Sequence, residues 1–250
     1  MLIAQISDTH ILAKASDEAV AASRADNLRR CIDDINRQGA DAVIHTGDSV
    51  QQGTADEYAH LRAILAELEA PIFITPGNRD GKATLRVAFD DAGYLPMEGD
   101  LLHYTIEDYP LRLVALDSVV AGERKGVFGA DRLAWLEETL AREPERPTLL
   151  FIHHPPFDIA PHYIDGYRCP QDAVNLASLV SLHPQVAQLL CGHVHCLHRV
   201  PWGGTIATVM PSIAVDVRRE ADAFGDAPAY LLHRFSNDEG LVTQTRVVRQ

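Results

Sequence analysis

Basic residues are scarce in this chain. Lys and Arg number 22 against 35 Asp and Glu in 250 residues, a formal net charge of −13. A protein that grips long nucleic acid needs a basic face to replace counterions along the phosphates, so that partner class is set aside. Long apolar runs are also lacking. None approaches the roughly 18 consecutive apolar residues of a membrane span, which predicts no membrane partner. The opening MLIAQISDTH has no basic stretch before its apolar residues and no small-residue cleavage pattern, so no secretory signal is expected. Cysteine is sparse: Cys31, Cys169, Cys191 and Cys196 form no CxxC pair and no even ladder. That excludes a disulfide framework and predicts reduced thiols in the cytoplasm. Cys191 closes an apolar stretch and reads as a small buried hydrophobe rather than a metal ligand. Low-complexity segments, internal repeats and long linkers are missing as well.

The chain does have a full core complement and an excess of histidine. Hydrophobic residues make up 46% and charged residues 23%, enough to bury a core, and the length suits a single domain over residues 1–250. There are 12 histidines, and they cluster: His153 and His154 are adjacent, and His193, His195 and His198 fall close together. Imidazole is a common metal ligand and titrates near neutrality.

The hydrophobic pattern alternates. Strands are predicted at 2–7, 41–45 and 72–75, with helices between them at 17–38, 54–69 and 81–92. Leu28, Cys31, Ile32 and Ile35 mark the inner stripe of the first helix, and Gly39 stops it. Residues 102–107 and 111–116 flank Tyr109-Pro110 and predict a hairpin. A helix at 130–142, a strand at 148–152, a helix at 172–182 and a strand at 186–191 follow. From about 197 the chain reads as strands, at 205–209, 213–217, 229–234 and 241–248. This pattern predicts a layered α/β fold, with the β-rich part at 197–250 completing a second sheet or cap. Residues 218–226 read as an exposed loop.

Ligands in α/β folds collect at the carboxyl ends of strands. Here five strands end in polar clusters: Asp8-Thr9-His10, Gly47-Asp48, Gly77-Asn78-Arg79-Asp80, His153-His154 and Gly192-His193-Val194-His195. Oxygen and imidazole donors without thiolates suit Mn, Fe, Co or Zn rather than a structural zinc knot. On an extended backbone Asp8 and His10 project to one side, and so do His193 and His195. The same alternation makes His154 a supporting or core residue rather than a second ligand of the same ion, and keeps His45 inside its strand. His198 is expected at the surface. The loop 162–168 mixes aromatics with charge, a composition suited to stacking a base and holding a ribose, or equally to an oligomer contact.

DTH, GDxxxxG from Gly47-Asp48 to Gly53, GNxD, the His of HHPP and GHxH stand in this order, with Leu116-Asp117-Ser118 between them. The set resembles the calcineurin-like metallophosphoesterase superfamily, nearest its class III cyclic-nucleotide phosphodiesterases and glycerophosphodiesterases. The resemblance implies a four-layer αββα sandwich of two mixed sheets and a dinuclear centre of two divalent ions, Mn or Fe first, Zn or Co as alternatives. One ion would be held by Asp8, His10 and His195, the other by Asn78, His153 and His193, with Asp48 bridging. A hydroxide bridging the ions would attack the phosphorus of a small phosphodiester, a 3′,5′-cyclic nucleotide before a glycerophosphodiester. The expected catalytic set is Asp48, Asn78, Arg79 and Asp80, and the expected substrate contacts are Asn78, Arg79, His154, Tyr163, Tyr167 and Arg168. Related enzymes are often dimers or larger, which implies a homo-oligomer. A phosphomonoesterase is the same-class alternative; a silent protein-binding scaffold is the alternative of another class.

The chain departs from the family pattern at Arg79, where GNHD or GNHE is usual. Arg stays protonated at any working pH, so it cannot hand a proton to a leaving group. It can clamp phosphate oxygens with its planar fork. The competing expectation is an outward Arg79 paired with an acid such as Asp80.

Overall fold

The computed structural model of this chain describes residues 1–218 and 224–249. Three parallel strands, β1 (Leu2–Ile6), β2 (Ala42–His45) and β3 (Ile72–Ile74), are joined by helices α1 (Glu18–Gln38) and α2 (Ala55–Leu65). Asp17 caps α1 by accepting from the Val20 amide, and Gly39 ends it in the left-handed conformation at φ 64°. A glycine there avoids the Cβ clash that other residues would suffer. Thr54 and Glu57 form a reciprocal capping box on α2. The expected third helix is shorter than 81–92: α3 covers Lys82–Ala88, and a 3-10 turn follows at Asp90–Ala92.

The second sheet begins with the antiparallel pair β4 (Tyr104–Ile106) and β5 (Arg112–Leu116), then adds β6 (Thr148–Ile152) and β7 (Val186–Cys191) in parallel. Helices α4 (Ala130–Arg142) and α5 (Pro170–Ser181) make the crossovers. The five-residue strands β5 and β6 are buried along their whole length. The alternation still sorts their side chains. Leu113, Ala115, Leu149 and Phe151 join the core shared with the first sheet, whereas Val114, Leu116, Leu150 and Ile152 pack against Leu136, Leu140, Leu176 and Val180 of α4 and α5. Strands buried on both faces read as continuous apolar runs for this reason. Two mixed sheets flanked by helices result, as expected.

The C-terminal part differs from the expectation. β8 (His198–Trp202) and β9 (Thr205–Val209) extend the second sheet, in the order β4-β5-β6-β7-β9-β8. β10 (Ala229–Ser236) and β11 (Gly240–Val247) instead return to the first sheet, in the order β11-β10-β1-β2-β3, with β10 antiparallel to β1. Most of β10 is buried, so it needs neighbours on both sides. The strand expected at 213–217 is a 3-10 turn at Val215–Val217, because its carbonyl and carboxylate groups serve side chains rather than a ladder. β8 escaped sequence reading because it contains Pro201, which is tolerated only on a sheet edge. Of the loop expected at 218–226, residues 219–223 lie outside the described residues. Among the described residues, no helix is long and apolar enough to cross a membrane.

A buried polar chain fixes how the sheets face each other. Gln5 of β1 donates to Thr46 Oγ1 at 3.1 Å and to the Cys191 carbonyl at 3.0 Å. His233 lies between Gln5 Oε1 (3.3 Å), to which its Nε2 donates, and Thr243 Oγ1 (2.9 Å), and Thr243 lies beside Gln188, which reaches Thr208. Burial pushes the His233 imidazole down to about 3, so it stays neutral in this chain of neutral partners. Gln5→Leu is expected to orphan buried acceptors and cost about 1–3 kcal/mol, read as a lowered urea midpoint. An unchanged midpoint would show that the polar chain does not hold the sheets.

Candidate metal centre

Five strand ends converge on one pocket, and their backbone is unusual. Asp8, His10, Asp48, His193 and His195 all have positive φ, from 46° to 71°. The left-handed region costs a non-glycine residue about 1–3 kcal/mol and is kept where the surroundings over-determine it. The expected extended projection of Asp8 with His10, and of His193 with His195, is therefore corrected. These pairs reach the pocket through tight turns, not along a pleat. Neighbouring backbone holds the turns open: Asp8 N donates to Gly47 O (3.0 Å), His10 N to Asp48 O (3.1 Å) and Ile11 N to Ser49 O (3.1 Å). Gly192 has to be glycine, since a Cβ there would collide with Ser7 Oγ, Asp8 Oδ2 and the Thr46 carbonyl.

The donor atoms of Asp8, His10, Asp48 and His195 lie within 4.8 Å of one another. His195 Nε2 is 3.2 Å from both Asp8 Oδ1 and His10 Nε2. A second group surrounds His153, whose Nε2 is 3.1 Å from His193 Nδ1 and 3.3 Å from Asn78 Oδ1. Asp48 faces both groups: Oδ2 is 3.9 Å from His10 Nε2, and Oδ1 is 3.5 Å from His153 Nε2. All seven expected ligand residues are thus brought together.

The imidazoles are oriented as ligands. His195 Nδ1 donates to the Val217 carbonyl (2.8 Å), and His153 Nδ1 to the Thr46 carbonyl (2.8 Å). A carbonyl can only accept, so each Nδ1 carries a proton and each Nε2, the atom left to serve as a ligand, points into the pocket. Burial pushes His10 down to about 3 against the pull of Asp8. Burial, then His154 and His153, holds His193 well below the ordinary range. Burial would lower His195 too, but the Asp8 carboxylate outweighs it and raises it. Burial works to raise Asp8, yet His195, His153 and His10 hold it far below the usual carboxylate range. Burial raises Asp48 to about 7, with Asp8 and Asp80 adding to the rise and His153 opposing it.

These observations fit a divalent cation. Paired imidazole nitrogens face each other at 3.1–3.2 Å in a buried pocket that keeps two of them neutral. A carboxylate that burial would leave half-protonated needs nearby positive charge to stay ionised. The donors are nitrogen and oxygen only, which suits first-row divalent ions.

Other expected site residues are placed differently. Asp80 accepts from the Ser49 hydroxyl (2.6 Å), the Tyr58 hydroxyl (2.9 Å) and the Gly77 amide (2.8 Å), so its carboxylate ties the 77–80 loop to the 48–50 loop and is not free for catalysis. His154 is fully buried between Ser118 Oγ (2.8 Å) and the Arg124 carbonyl (3.2 Å), with its ring against His193, so it supports rather than touches a substrate. Tyr163 and Tyr167 point inward and donate to the Pro155 and His154 carbonyls, each at 3.0 Å. They brace the HHPP segment instead of offering a stacking face. Arg168 is exposed and pairs with Glu123 at 3.4 Å. His45 is buried inside its strand, as expected, between Thr9 and the Gly47 amide.

Arg79 is exposed, its amide donates to Asp48 Oδ1 at 2.7 Å, and no ion-pair partner for its guanidinium exists among the described residues. With Asn78, Lys82 and Arg132 it lines a cavity of about 880 Å³ beside the pocket. The expected pairing with Asp80 is ruled out, because that carboxylate is engaged elsewhere. Sequence reading missed Arg24, Tyr58 and Ser212. Arg24 carried a signal, a cation on the apolar stripe of α1 one turn before Leu28. Gly192→Ala is expected to lower retained metal at least tenfold, within the range known for disturbed ligand supports, with the far-UV spectrum unchanged. Full metal content after dialysis would contradict the crowding argument.

A family model described as calcineurin-like phosphoesterase matches residues 1–197. The chain is 34% identical over 259 residues to an Arcobacter nitrofigilis protein named "Probable glycerophosphodiester phosphodiesterase GpdQ", covering 99% of this chain and 93% of that relative. It is 30% identical over 224 residues to the 3′,5′-cyclic adenosine monophosphate phosphodiesterase CpdA of Escherichia coli, covering 89% of this chain and 79% of that relative. A dimetal phosphatase from Danio rerio shares the fold at a TM-score of 0.75 and 16% identity, with 100% of this chain and 99% of that one covered. The family match spans all five polar strand ends that meet in the pocket, and on that ground the chain belongs to the calcineurin-like phosphoesterases.

Proposed function

We propose that this protein hydrolyses small phosphodiesters at a centre of two divalent ions, with Mn and Fe preferred and Zn or Co tolerated. The observation that carries the reading is Asp48, whose two carboxylate oxygens each face a separate donor group. Asp8, His10 and His195 would hold one ion, Asn78, His153 and His193 the other, and Asp48 both. When bound, the ions supply a water of lowered pKa and positive charge for the phosphoryl oxygens. The relatives' names point to 3′,5′-cyclic nucleotides and glycerophosphodiesters as the candidate substrates. Sparse cysteines with no CxxC pair agree with work in a reducing cytoplasm. The homo-oligomer implied by the resemblance is part of the same proposal, and sedimentation at assay concentration tests it.

The chain's own residues have distinct tasks. Asp8 and Asp48 contribute two negative charges to the pocket, fewer than two dications would bring, so the centre would attract an anionic ester despite the acidic surface. Arg79 sits at the border between the donor groups and the 880 Å³ cavity. Its free guanidinium can hold a phosphate oxygen while the alcohol arm occupies the cavity. A fixed cation gives no proton to the departing alkoxide, so the site favours diesters with good leaving groups.

Reconstituted protein should cleave bis-p-nitrophenyl phosphate in preference to p-nitrophenyl phosphate. Arg79→His should shift that ratio toward the monoester, and an unchanged ratio would remove Arg79 from phosphate binding. Asp48→Ala should lose metal and drop turnover by about 10³-fold or more, since it removes several kcal/mol of charge stabilisation. Failure of cyclic nucleotides, glycerophosphodiesters and aryl esters alike, with each of the four metals, would instead favour a protein-binding scaffold.

A further inference from the structure

Three of the first group's four residues stand on, or are steered by, separate pieces of chain that one outside side chain touches at once. Arg24 lies in α1 and is 7% exposed. Its Nε and Nη2 fork onto the Asp216 carboxylate at 3.1 and 2.6 Å. Its Nη1 donates to the His10 carbonyl at 2.9 Å and to Gln51 Oε1 at 3.0 Å. Each of these partners leads to a ligand candidate. His10 is itself one, held at φ 46°. Gln51 ends the stretch that starts at Asp48, and its amide bonds back to the Ile11 carbonyl at 3.1 Å. Asp216 sits in the turn Val215–Val217, whose Val217 carbonyl orients His195.

Packing alone does not call for a guanidinium at this position. Taking an ion out of water costs several kcal/mol, and replacing such a group by an apolar residue of similar volume is often neutral or stabilising. Arg24 shares its stripe with Ala21, Ala25 and Leu28, where an apolar side chain would dock the helix. What an apolar residue cannot do is hold a carbonyl, an amide oxygen and a carboxylate in one rigid plane.

We propose that Arg24 is a positioning residue for the subsite of Asp8, His10, Asp48 and His195, setting that subsite's metal affinity without touching the ion. The other subsite is supported separately, by the Thr46 carbonyl on His153 and by Ser118 behind His154. The inference rests on the two-ion reading above and concerns affinity at one subsite rather than the reaction.

Mn²⁺ titration of the chelator-stripped full chain tests it, with free Mn²⁺ read by its EPR signal. Wild type should bind two ions. Arg24→Met should weaken one binding class about 10–100-fold, the range for residues that orient a ligand, and leave the other unchanged. Asp216→Asn, in a half-exposed turn, should weaken the same class by less. In an Asn78→Ala background that keeps only the first subsite, Arg24→Met should still weaken the remaining class. The urea midpoint of the metal-free Arg24→Met protein should match or exceed wild type. Equal affinities in wild type and both single variants would overturn the proposal. So would an equal loss at both classes with a lowered metal-free midpoint, the signature of a purely structural role. If Arg24→Met does not fold, Asp216→Asn decides the question. A wild type that binds no Mn²⁺, Fe²⁺, Co²⁺ or Zn²⁺ would sink the two-ion reading itself, a result distinct from two ions bound alike by all variants.

Discussion

Two carboxylates buried in one pocket repel each other, and the rest of the centre answers that repulsion. Asp8 is fully buried and Asp48 nearly so, and among the described residues no Lys or Arg side chain pairs with either. Their nearest charged-capable neighbours are imidazoles, and burial keeps His10 and His193 neutral. Such a pocket is stable only with a proton or a cation in it. The geometry suits a cation, since the rings of His195 and His153 are held by carbonyls at Nδ1 and turn Nε2 inward. The acid pair, the neutral rings and the absence of a competing side-chain cation are three parts of one electrostatic arrangement.

The cost of that arrangement is borne by the scaffold around it. Five left-handed residues in one small volume would relax in a loose loop. Here they are laced by backbone bonds between the 8–11 and 48–51 turns, and by the Asp80 carboxylate, which gathers donors from both the 48–50 and 77–80 loops. Beneath them lie two sheets, locked in orientation by the polar chain from Gln5 to Thr208. The strain is therefore local, and the restraint comes from the whole fold.

Much of this was legible in the chain. The strand ends declared themselves because chemistry-bearing residues followed each apolar run, and the alternation of β and α placed those ends together. The turns did not, because a left-handed Asp or His looks in sequence like any other; the glycines at 47, 77 and 192 hinted at tight backbone. Tyr163 and Tyr167 misled for a related reason. An aromatic in a polar loop suits a ligand shelf, but these rings find a core under the loop and donate their hydroxyls to carbonyls. Asp80 misled through its place in a motif, when its own partners were Ser49 and Tyr58, distant in sequence. Long-range partners of this kind are what a linear reading misses.

The return of β10 to the side of β1 bears on the order of biosynthesis. Residues Leu2 to Gln5 pair with Leu231 to Arg234, and Asp8 is braced from behind by Ser212, whose hydroxyl donates to the Asp8 carbonyl at 2.6 Å. A nascent chain still tethered at its C-terminus has its first strand open on one flank and its principal aspartate unbraced. Synthesis must pass Arg234 before the cradle has all its supports, so a shorter emerging chain holds the strand ends together only in part.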